Sequence, residues 1–354
     1  MSDGAPVEPS LPEEAYRAVY GIVLSSRVRL ARNLRGLPFP DRASPEVRGE
    51  VRRRVMEAAR AELPVQEDLA GSAWVFRQRL FEEHLISRAL LEERPESAVC
   101  LDLPRTRAVM INEEDHLRIQ ALRPGLALQE AWSVADALDD SLEQNLDYAY
   151  SSTLGYLTSC PTNVGTGMRA SALMHLPGLV LMGEIEPIIR GLNKIGLAVR
   201  GRWGEGTAAL GHMFQISNQI TLGMSEARMV EDLEQIVKEL AHHEENARQR
   251  LKGERTMFAM DLAARAQGIL TSARLMTTQE ALERLSELRL GIALGVTRKA
   301  EMRTVDRLLL EIQPAHLQAL VGRCMDNEER DITRAERLRT ELGRRRTGNS
   351  KRTT

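Results

Sequence analysis

A change of hydrophobic period part-way along the chain constrains the fold more than any other feature. After Gly223 the apolar residues recur at helical spacing almost to the end, as with Met229, Leu233 and Leu240. Before that point the chain alternates loops with short β-like runs, at 21–25, 106–112, 117–122, 152–160, 196–201 and 214–222. The two periods predict a mixed domain followed by an all-helical one.

Helical segments within the first part indicate how its sheet is covered. Residues 128–146 and 184–194 have helical spacing, so we predict an α+β arrangement. Thr277 with Glu280 forms a capping box and predicts the start of a new helix. The predicted organisation is an N-terminal extension (1–20), a mixed domain (21–250), a hinge (251–256), a helical domain (256–342) and a basic, disordered tail (343–354).

Composition narrows the class of protein. A net charge of −2 among 354 residues argues against a protein that binds nucleic acid in bulk. The cysteines Cys100, Cys160 and Cys324 are odd in number and form no CxxC pair, which indicates a reducing compartment. The N-terminus lacks the features of a signal peptide, and no apolar run is long enough to span a bilayer. We therefore expect a cytoplasmic protein with no membrane and no direct nucleic-acid partner.

Five arginines stand beside β-like runs in four separated segments. They are Arg27, Arg29, Arg118, Arg169 and Arg200. Each alone is most simply a solvated residue at a strand end, but several guanidinium groups from separate strands suit a site that binds phosphate oxygens. The sequence has neither a GxxxxGK[ST] loop nor a GxGxxG after a strand, so a nucleotide would have to be held by such arginines.

Three further segments could participate in chemistry, and the residues alone leave each open. The run 112–116 (NEEDH) is either an acidic turn or a carboxylate pair that binds a guanidinium and removes its proton. Cys160, in CPTNVGTG, is either a buried structural cysteine or a thiolate facing a cationic substrate. The glycine-flanked run 201–211 is either a surface loop or a mobile lid carrying Glu205. His242 and His243 are adjacent on a helix and point apart, so no metal site is predicted.

In this order, SSRVRLAR, NEEDHLR, CPTNVGTG and RGRWGEG resemble the signature segments of the phosphagen (guanidino) kinases, the family of arginine and creatine kinases. The resemblance covers about two-thirds of the chain. It implies an antiparallel sheet flanked by helices as the catalytic domain, followed here by a smaller all-helical domain. It also implies direct in-line transfer of phosphate from ATP, with Mg²⁺ that has few or no direct protein ligands.

The resemblance also assigns roles to residues. Glu114 and Glu205 would align and deprotonate the guanidinium, with Cys160 beside its other nitrogens. The residues implied to contact the nucleotide are Ser25, Ser26, Arg27, Val28, Arg29, His84, Arg118, Arg169, Ala170, Ser171, Ala172, Leu173, Arg200, Gly201, Arg202, Trp203, Gly204 and Glu205.

The architecture is most similar to the bacterial protein arginine kinases of the McsB type. Only about twenty residues precede SSRVR, and helices are added after residue 250. The resemblance makes the RDITRA run an allosteric pocket for phosphoarginine, formed by Arg330, Asp331, Ile332, Thr333, Arg334 and Ala335. The residues by themselves favour a charged helix face.

This resemblance implies a set of partners and a cellular role. We expect protein substrates with exposed arginines, among them a heat-shock repressor, and a homodimer formed by the C-terminal helices. An activator protein and a Clp-type protease complete the expected partners, in a stress response.

Two other functions compete with this one. A kinase for free arginine or another small guanidine would use the same chemistry, but the missing N-terminal domain argues against an enclosed small substrate. A catalytically inactive phosphoarginine-binding adaptor is the second alternative. Retention of Glu114, Cys160 and Glu205 with all five arginines argues against it.

Overall fold

The computed structural model of the protein describes residues 21–92, 94–202 and 209–343. The chain divides into two compact units, one within 1–209 and 213–245 and the other within 210–212 and 246–354. The predicted extension over 1–20 and residues 344–354 of the predicted tail lie outside the described residues.

Strands of the first unit form one large sheet and one small hairpin. In chain order they are β1 (Val23–Arg32), β2 (Val65–Asp68), β3 (Ala98–Leu101), β4 (Arg107–Ile111), β5 (Leu117–Pro124), β6 (Tyr150–Ser151), β7 (Gly155–Tyr156), β8 (Met168–His175), β9 (Leu197–Gly201) and β10 (Met213–Asn218). Eight of these strands, counted over the described residues, pair in the order β2-β3-β4-β5-β1-β8-β10-β9, while β6 pairs with β7. Every pairing is antiparallel, which confirms the predicted sheet.

Helices flank the sheet and make up the second unit. They are α1 (Pro45–Ala59), α2 (Trp74–Glu82), α3 (Arg88–Leu91), α4 (Leu128–Glu143), α5 (Pro177–Leu181), α6 (Ile185–Lys194), α7 (Glu226–Glu254), α8 (Thr256–Ser272), α9 (Thr278–Ala293), α10 (Met302–Glu311), α11 (Pro314–Val321) and α12 (Asn327–Gly343). The predicted helix start is confirmed, since the Thr277 hydroxyl accepts a hydrogen bond from the Glu280 amide that opens α9. Within the described ranges, no helix is both long and apolar enough to cross a bilayer.

One predicted strand is wrong. Residues 152–160 were expected to form a β-run, yet only Gly155–Tyr156 of this segment is strand, and it pairs in the small hairpin. A 3₁₀ turn follows at Pro161–Asn163. The segment is held by other bonds, such as the one from the Tyr156 amide to the Gly165 carbonyl at 2.8 Å. Among residues 152–160 only Thr158 is buried, so this β-like run forms an exposed or half-buried loop with one short strand.

The predicted helix over 128–146 is confirmed as α4, and its buried face explains why it forms. Ala131, Ala135, Leu138 and Leu142 recur three or four residues apart and are all buried. Burying such a stripe stabilises by about 25 cal/mol for each Å² of apolar surface removed from water. This packing anchors α4 next to β1, the strand that carries the first two arginines.

A buried arginine at the end of β1 ties three parts of the first unit together. Arg32 donates through Nε and Nη2 to Asp139 of α4, at 2.9 and 2.5 Å. Its Nη1 donates to the Thr166 carbonyl at 2.8 Å, and its guanidinium lies 3.5 Å from the ring centre of Tyr156. Burial acts to lower the pKa of Arg32, but Asp139 and Tyr156 outweigh it, so its pKa is raised and the cation persists. The loop between β7 and β8 (157–167), here named the Cys160 loop, is thereby attached to the sheet.

Candidate functional site

One face of the sheet gathers the arginines that the sequence singled out. Arg27 and Arg29 alternate along β1 with the buried Val28 and Leu30, so both point to the same face. In the register, Arg29 lies opposite Arg169 of β8. Arg118 of β5 lies on this face because Gln120, two residues further along, pairs with Arg29. Arg200 of β9 lies on it because Arg200 pairs with Gln215, which Arg27 contacts. Strands distant in sequence therefore bring the five guanidinium groups to one surface.

The pKa values of three of these arginines are lowered, first by burial and then by neighbouring arginines. Burial and the neighbouring Arg118 lower the pKa of Arg27 to about 10. Burial and then Arg27 lower the pKa of Arg29 well below its ordinary value, and burial followed by Arg200 lowers that of Arg169. Like charges held this close are costly unless an anion neutralises them. A bound polyanion would offset this repulsion, so the face suits a ligand of that charge.

A pocket of about 280 Å³ opens on this face. Its lining residues are Ser25, Arg27, His84, Leu122, Ser171, Leu173, Arg202 and Gln215. Six of them belong to the predicted nucleotide-binding set. Leu122 and Gln215 do not, although strand alternation could have found Leu122, which lies four residues beyond Arg118 on the same side of β5. Gln215 accepts a hydrogen bond from Arg27 at 3.2 Å and orients it.

Four predicted nucleotide residues turn their side chains to the opposite face. Ser26, Val28, Ala170 and Ala172 are buried in the core. The Ser26 hydroxyl donates to the Gly125 carbonyl at 2.8 Å and accepts from the Ala127 amide at 3.0 Å, next to the start of α4. These side chains position the strands that carry the arginines.

His84 enters the pocket from a strained turn. Its φ of 59° lies in the left-handed region, and its carbonyl accepts a hydrogen bond from the Gln120 side chain at 2.7 Å. Burial, followed by Arg202, Arg27 and Arg29, lowers the pKa of His84 well below its ordinary value. The ring is therefore neutral at physiological pH and adds no further positive charge to the pocket.

The acidic turn between β4 and β5 joins the arginine face directly. Arg118 forms an ion pair with Glu113 at 2.6 Å through Nη1 and hydrogen-bonds Glu114 at 3.1 Å through Nη2. The Glu113 side chain is only 5% exposed, whereas that of Glu114 is 39% exposed. Glu114 is thus the carboxylate of this pair that an incoming substrate can reach, and Glu113 holds Arg118 in place.

Asp115 links the acidic turn to the Cys160 loop, a role that the sequence did not predict. Its Oδ1 accepts a hydrogen bond from the Ser159 amide at 2.7 Å and another from Asn33 at 2.7 Å. Burial raises the pKa of Asp115 even though these two bonds oppose the shift. Because Ser159 precedes Cys160 and Asp115 follows Glu114, this contact brings the two predicted catalytic residues into one site.

Cys160 is half-buried and connected to the arginine face through Thr162. Its Sγ lies 3.0 Å from the Thr162 hydroxyl, which also accepts a hydrogen bond from Arg169 at 3.2 Å. Either the thiol or the hydroxyl can donate in the contact between Cys160 and Thr162. The arrangement supports the view of Cys160 as a group facing a substrate, in contrast to Cys100, which is fully buried.

The third predicted catalytic residue is Glu205. Glu205 lies outside the described residues, together with Trp203 and Gly204. The described neighbours Arg200 and Gly201 lie at the end of β9, and Arg202 follows them at the pocket. The roles of all these residues stay predictions.

RDITRA lies in α12, in the second unit, and its two arginines are already engaged. The Arg334 side chain is 1% exposed and donates to the carbonyls of Ile312 and Met276 at 2.9 and 2.8 Å. It also pairs with Asp331 at 2.5 Å, while Arg330 donates to the Met325 carbonyl at 2.7 Å. Arg334 therefore holds α12 in its unit, and Arg330 and Asp331 are more accessible than Arg334.

Comparison with protein-family models gives two adjoining matches. Residues 66–247 match the ATP:guanido phosphotransferase C-terminal catalytic domain, and residues 258–353 match the protein-arginine kinase McsB C-terminal domain. The chain belongs to the protein-arginine kinase branch of the guanido phosphotransferase family. It is therefore a phosphotransferase enzyme, and the predicted fold class is confirmed.

Curated relatives agree over almost their whole length. The protein-arginine kinase of Symbiobacterium thermophilum is 47% identical over 333 residues, covering 91% of this chain and 93% of the relative. That of Moorella thermoacetica is 46% identical over 325 residues, with coverage of 90% and 93%. That of Geobacillus stearothermophilus is 46% identical over 343 residues, with coverage of 93% and 94%.

Solved structures agree with the family assignment at the level of the fold. Lombricine kinase superposes with a TM-score of 0.56 at 27% identity, covering 70% of this chain and 72% of that one. The duplicated taurocyamine kinase of Schistosoma mansoni superposes with a TM-score of 0.58 at 24% identity, covering 79% of this chain and 41% of that one. The second likeness shows the shared fold alone.

Proposed function

We propose that this guanido phosphotransferase transfers the γ-phosphate of ATP, bound with Mg²⁺, to the guanidinium group of arginine side chains in proteins. One observation supports this most strongly: the arginine face is joined to the acidic turn by Arg118, and that turn is joined to the Cys160 loop by Asp115. A phosphate site and a guanidinium site thus share one framework. The relatives named protein-arginine kinases support arginine as the acceptor.

In the proposed reaction the arginine face holds the triphosphate of the nucleotide. Arg27, Arg29 and Arg169 would neutralise the phosphate oxygens, and a bound anion would also offset the repulsion that, after burial, lowers their pKa values. The neutral His84 and the apolar Leu122 suit the less polar parts of the nucleotide. Mg²⁺ enters as part of the substrate.

The chemical step is a direct in-line displacement. A terminal guanidinium nitrogen forms a bond to the γ-phosphorus while the bond from that phosphorus to the bridging oxygen breaks, and ADP leaves. The proton lost from the nitrogen passes to Glu114, with Glu205 proposed as the second carboxylate. Deprotonation is difficult because the guanidinium pKa exceeds 12, so a fixed carboxylate lowers the barrier.

Positioning provides the remaining rate acceleration. Cys160 is proposed to lie beside the other guanidinium nitrogens and to orient them, since it is half-buried and its sulfur contacts a hydroxyl group that Arg169 fixes. Correct alignment of two reactants can be equivalent to about 7–11 kcal/mol of the barrier.

The acceptor can be tested by comparing substrates. The purified enzyme is incubated with MgATP and either free arginine or an arginine-rich protein, and ADP formation is measured. We expect ADP formation with the protein and little with free arginine. The reverse preference would assign the enzyme to the small guanidines, and turnover of neither would favour the inactive adaptor.

The proposal extends to the enzyme's role in the cell. We propose that the cytoplasmic enzyme acts as a homodimer, that its product marks proteins for a Clp-type protease, and that it inactivates a heat-shock repressor during stress, with an activator protein. The match of residues 258–353 to the McsB C-terminal domain supports this extension. Protease degradation of a phosphorylated and an unphosphorylated model protein, compared side by side, tests the marking role.

A further inference from the structure

The end of β10 and the residues that follow it, 218–222, bind the Cys160 loop through several hydrogen bonds. The Asn218 side chain extends the pairing of β10 with β8. It accepts a hydrogen bond from the Ala170 amide at 2.8 Å and donates one to the Met168 carbonyl at 3.1 Å. Its own carbonyl accepts a hydrogen bond from Arg169 at 3.2 Å. The segment therefore begins fixed to the arginine face.

Thr221, three residues further on, binds the loop with both its side chain and its main chain. It is 4% exposed, while its neighbours Ile220 and Leu222 are exposed. Its hydroxyl lies 2.8 Å from the Val164 carbonyl and 3.0 Å from the Thr162 carbonyl, so one proton serves two acceptors.

The main-chain carbonyl of Thr221 completes the attachment. It accepts a hydrogen bond from the Thr166 amide at 2.9 Å and another from the Thr166 hydroxyl at 3.2 Å. A Cβ on Gly165 would lie 2.2 Å from this same carbonyl oxygen, and Gly165 has a φ of 114°. Only glycine allows the loop to approach so closely.

The loop residue that Thr221 holds is the one that connects the sulfur to the arginine face. The Thr162 hydroxyl lies 3.0 Å from Cys160 Sγ and accepts from Arg169 at 3.2 Å. We propose that Thr221 is a positioning residue for phosphoryl transfer, which sets Cys160 relative to Arg169 by fixing the carbonyls of Thr162 and Val164. The inference rests on the proposed function, because it concerns how the acceptor guanidinium is oriented.

Thr221→Val should impair acceptor use while leaving nucleotide binding intact. Valine has the same shape but cannot donate to the two carbonyls, and a misplacement of about 1 Å can cost roughly a hundredfold in rate. We expect kcat to fall by roughly tenfold or more, with the dissociation constant of ATP within about threefold, because Thr221 does not line the nucleotide pocket. Thr221→Ser keeps the hydroxyl and should restore most of kcat.

The experiment measures kinetics and amide hydrogen exchange on the full chain. Peptides covering 160–167 should exchange faster in Thr221→Val than in the wild type, whereas those covering 168–175 should not change. Thr271→Val is the matched control, since the Thr271 hydroxyl donates at 2.7 Å to a helix carbonyl in the other unit. If Thr221→Val folds poorly, Thr166→Ala removes the 3.2 Å hydroxyl bond to the Thr221 carbonyl, leaves the amide bond in place, and should increase exchange over 160–167 by a smaller amount.

The outcomes separate this inference from the proposed function. Faster exchange over 160–167, a lower kcat and rescue by Thr221→Ser together support the positioning role. Unchanged exchange over 160–167, or an equal loss of kcat in Thr221→Ser, overturns it. A wild type that phosphorylates no arginine would overturn the proposed function, and the exchange measurement would still decide whether Thr221 fixes the loop.

Discussion

Replacing Glu114 by glutamine separates catalysis from stability. Glu114 is 39% exposed and its contact with Arg118 is 3.1 Å long, and such a pair contributes about 0–1 kcal/mol to stability. The melting temperature should therefore fall by no more than about 4 °C. Glutamine cannot accept the guanidinium proton, and loss of one preorganised charged partner costs about 2.7–4 kcal/mol in the transition state, so kcat should fall by roughly 10²–10³.

Glu113→Gln is the matched comparison for this variant. Glu113 is 5% exposed and lies 2.6 Å from Arg118, so its charge holds an arginine of the phosphate-binding face. Its loss should cost about 1–3 kcal/mol, seen as lower stability and a weaker affinity for ATP. Steady-state kinetics, ATP titration and thermal melts are measured on both variants. A Glu114→Gln enzyme with near-normal kcat would refute the assignment of Glu114 as the proton acceptor.

Four other predictions rest on contacts or burial of the described residues. Cys160→Ser should lose most activity and alkylation should inactivate the wild type unless substrates protect it, whereas Cys324→Ser, at an exposed cysteine outside the site, should leave kcat unchanged. Arg334→Ala should destabilise the protein, in denaturant titrations, by about 1–3 kcal/mol for each carbonyl that loses its donor, those of Ile312 and Met276. Asp331→Ala should instead abolish the response of initial rate to added phosphoarginine while the protein stays folded. An unaltered response would show that RDITRA is only a charged helix face. Burial lowers the pKa of His116, so the unfolded chain binds the proton more readily. Stability should then fall as pH drops below about 6.5, by up to about 1.4 kcal/mol per unit, and His116→Gln should flatten that slope.

The sequence predicted the sheet and its arginines because strand alternation is a local property. Val28 and Leu30, on either side of Arg29, line the buried face of β1, and the resemblance implied an antiparallel sheet. The helix boundaries were accessible for the same reason, since Thr277 caps α9 through a bond to a residue three positions away.

The loop after Cys160 could not be predicted in the same way. Its contacts come from residues far along the chain, such as Asp115, Arg32 and Thr221, and no local period records them. The β-like run at 152–160 therefore suggested a strand, of which only Gly155–Tyr156 forms. Arg334 illustrates the same limit: the resemblance put it in a phosphoarginine pocket, whereas its carbonyl partners lie 22 and 58 residues away.

The position of the transferred phosphate tests the central claim most directly. A model protein is incubated with MgATP and the enzyme, and mass spectrometry under non-acidic conditions locates the phosphate. We predict phosphoarginine with the wild type. Glu114→Gln should give roughly a hundredfold less of it in the same time, as expected when one charged partner is lost. Phosphate on serine, threonine or histidine instead, or no phosphorylated residue at all, would contradict the account.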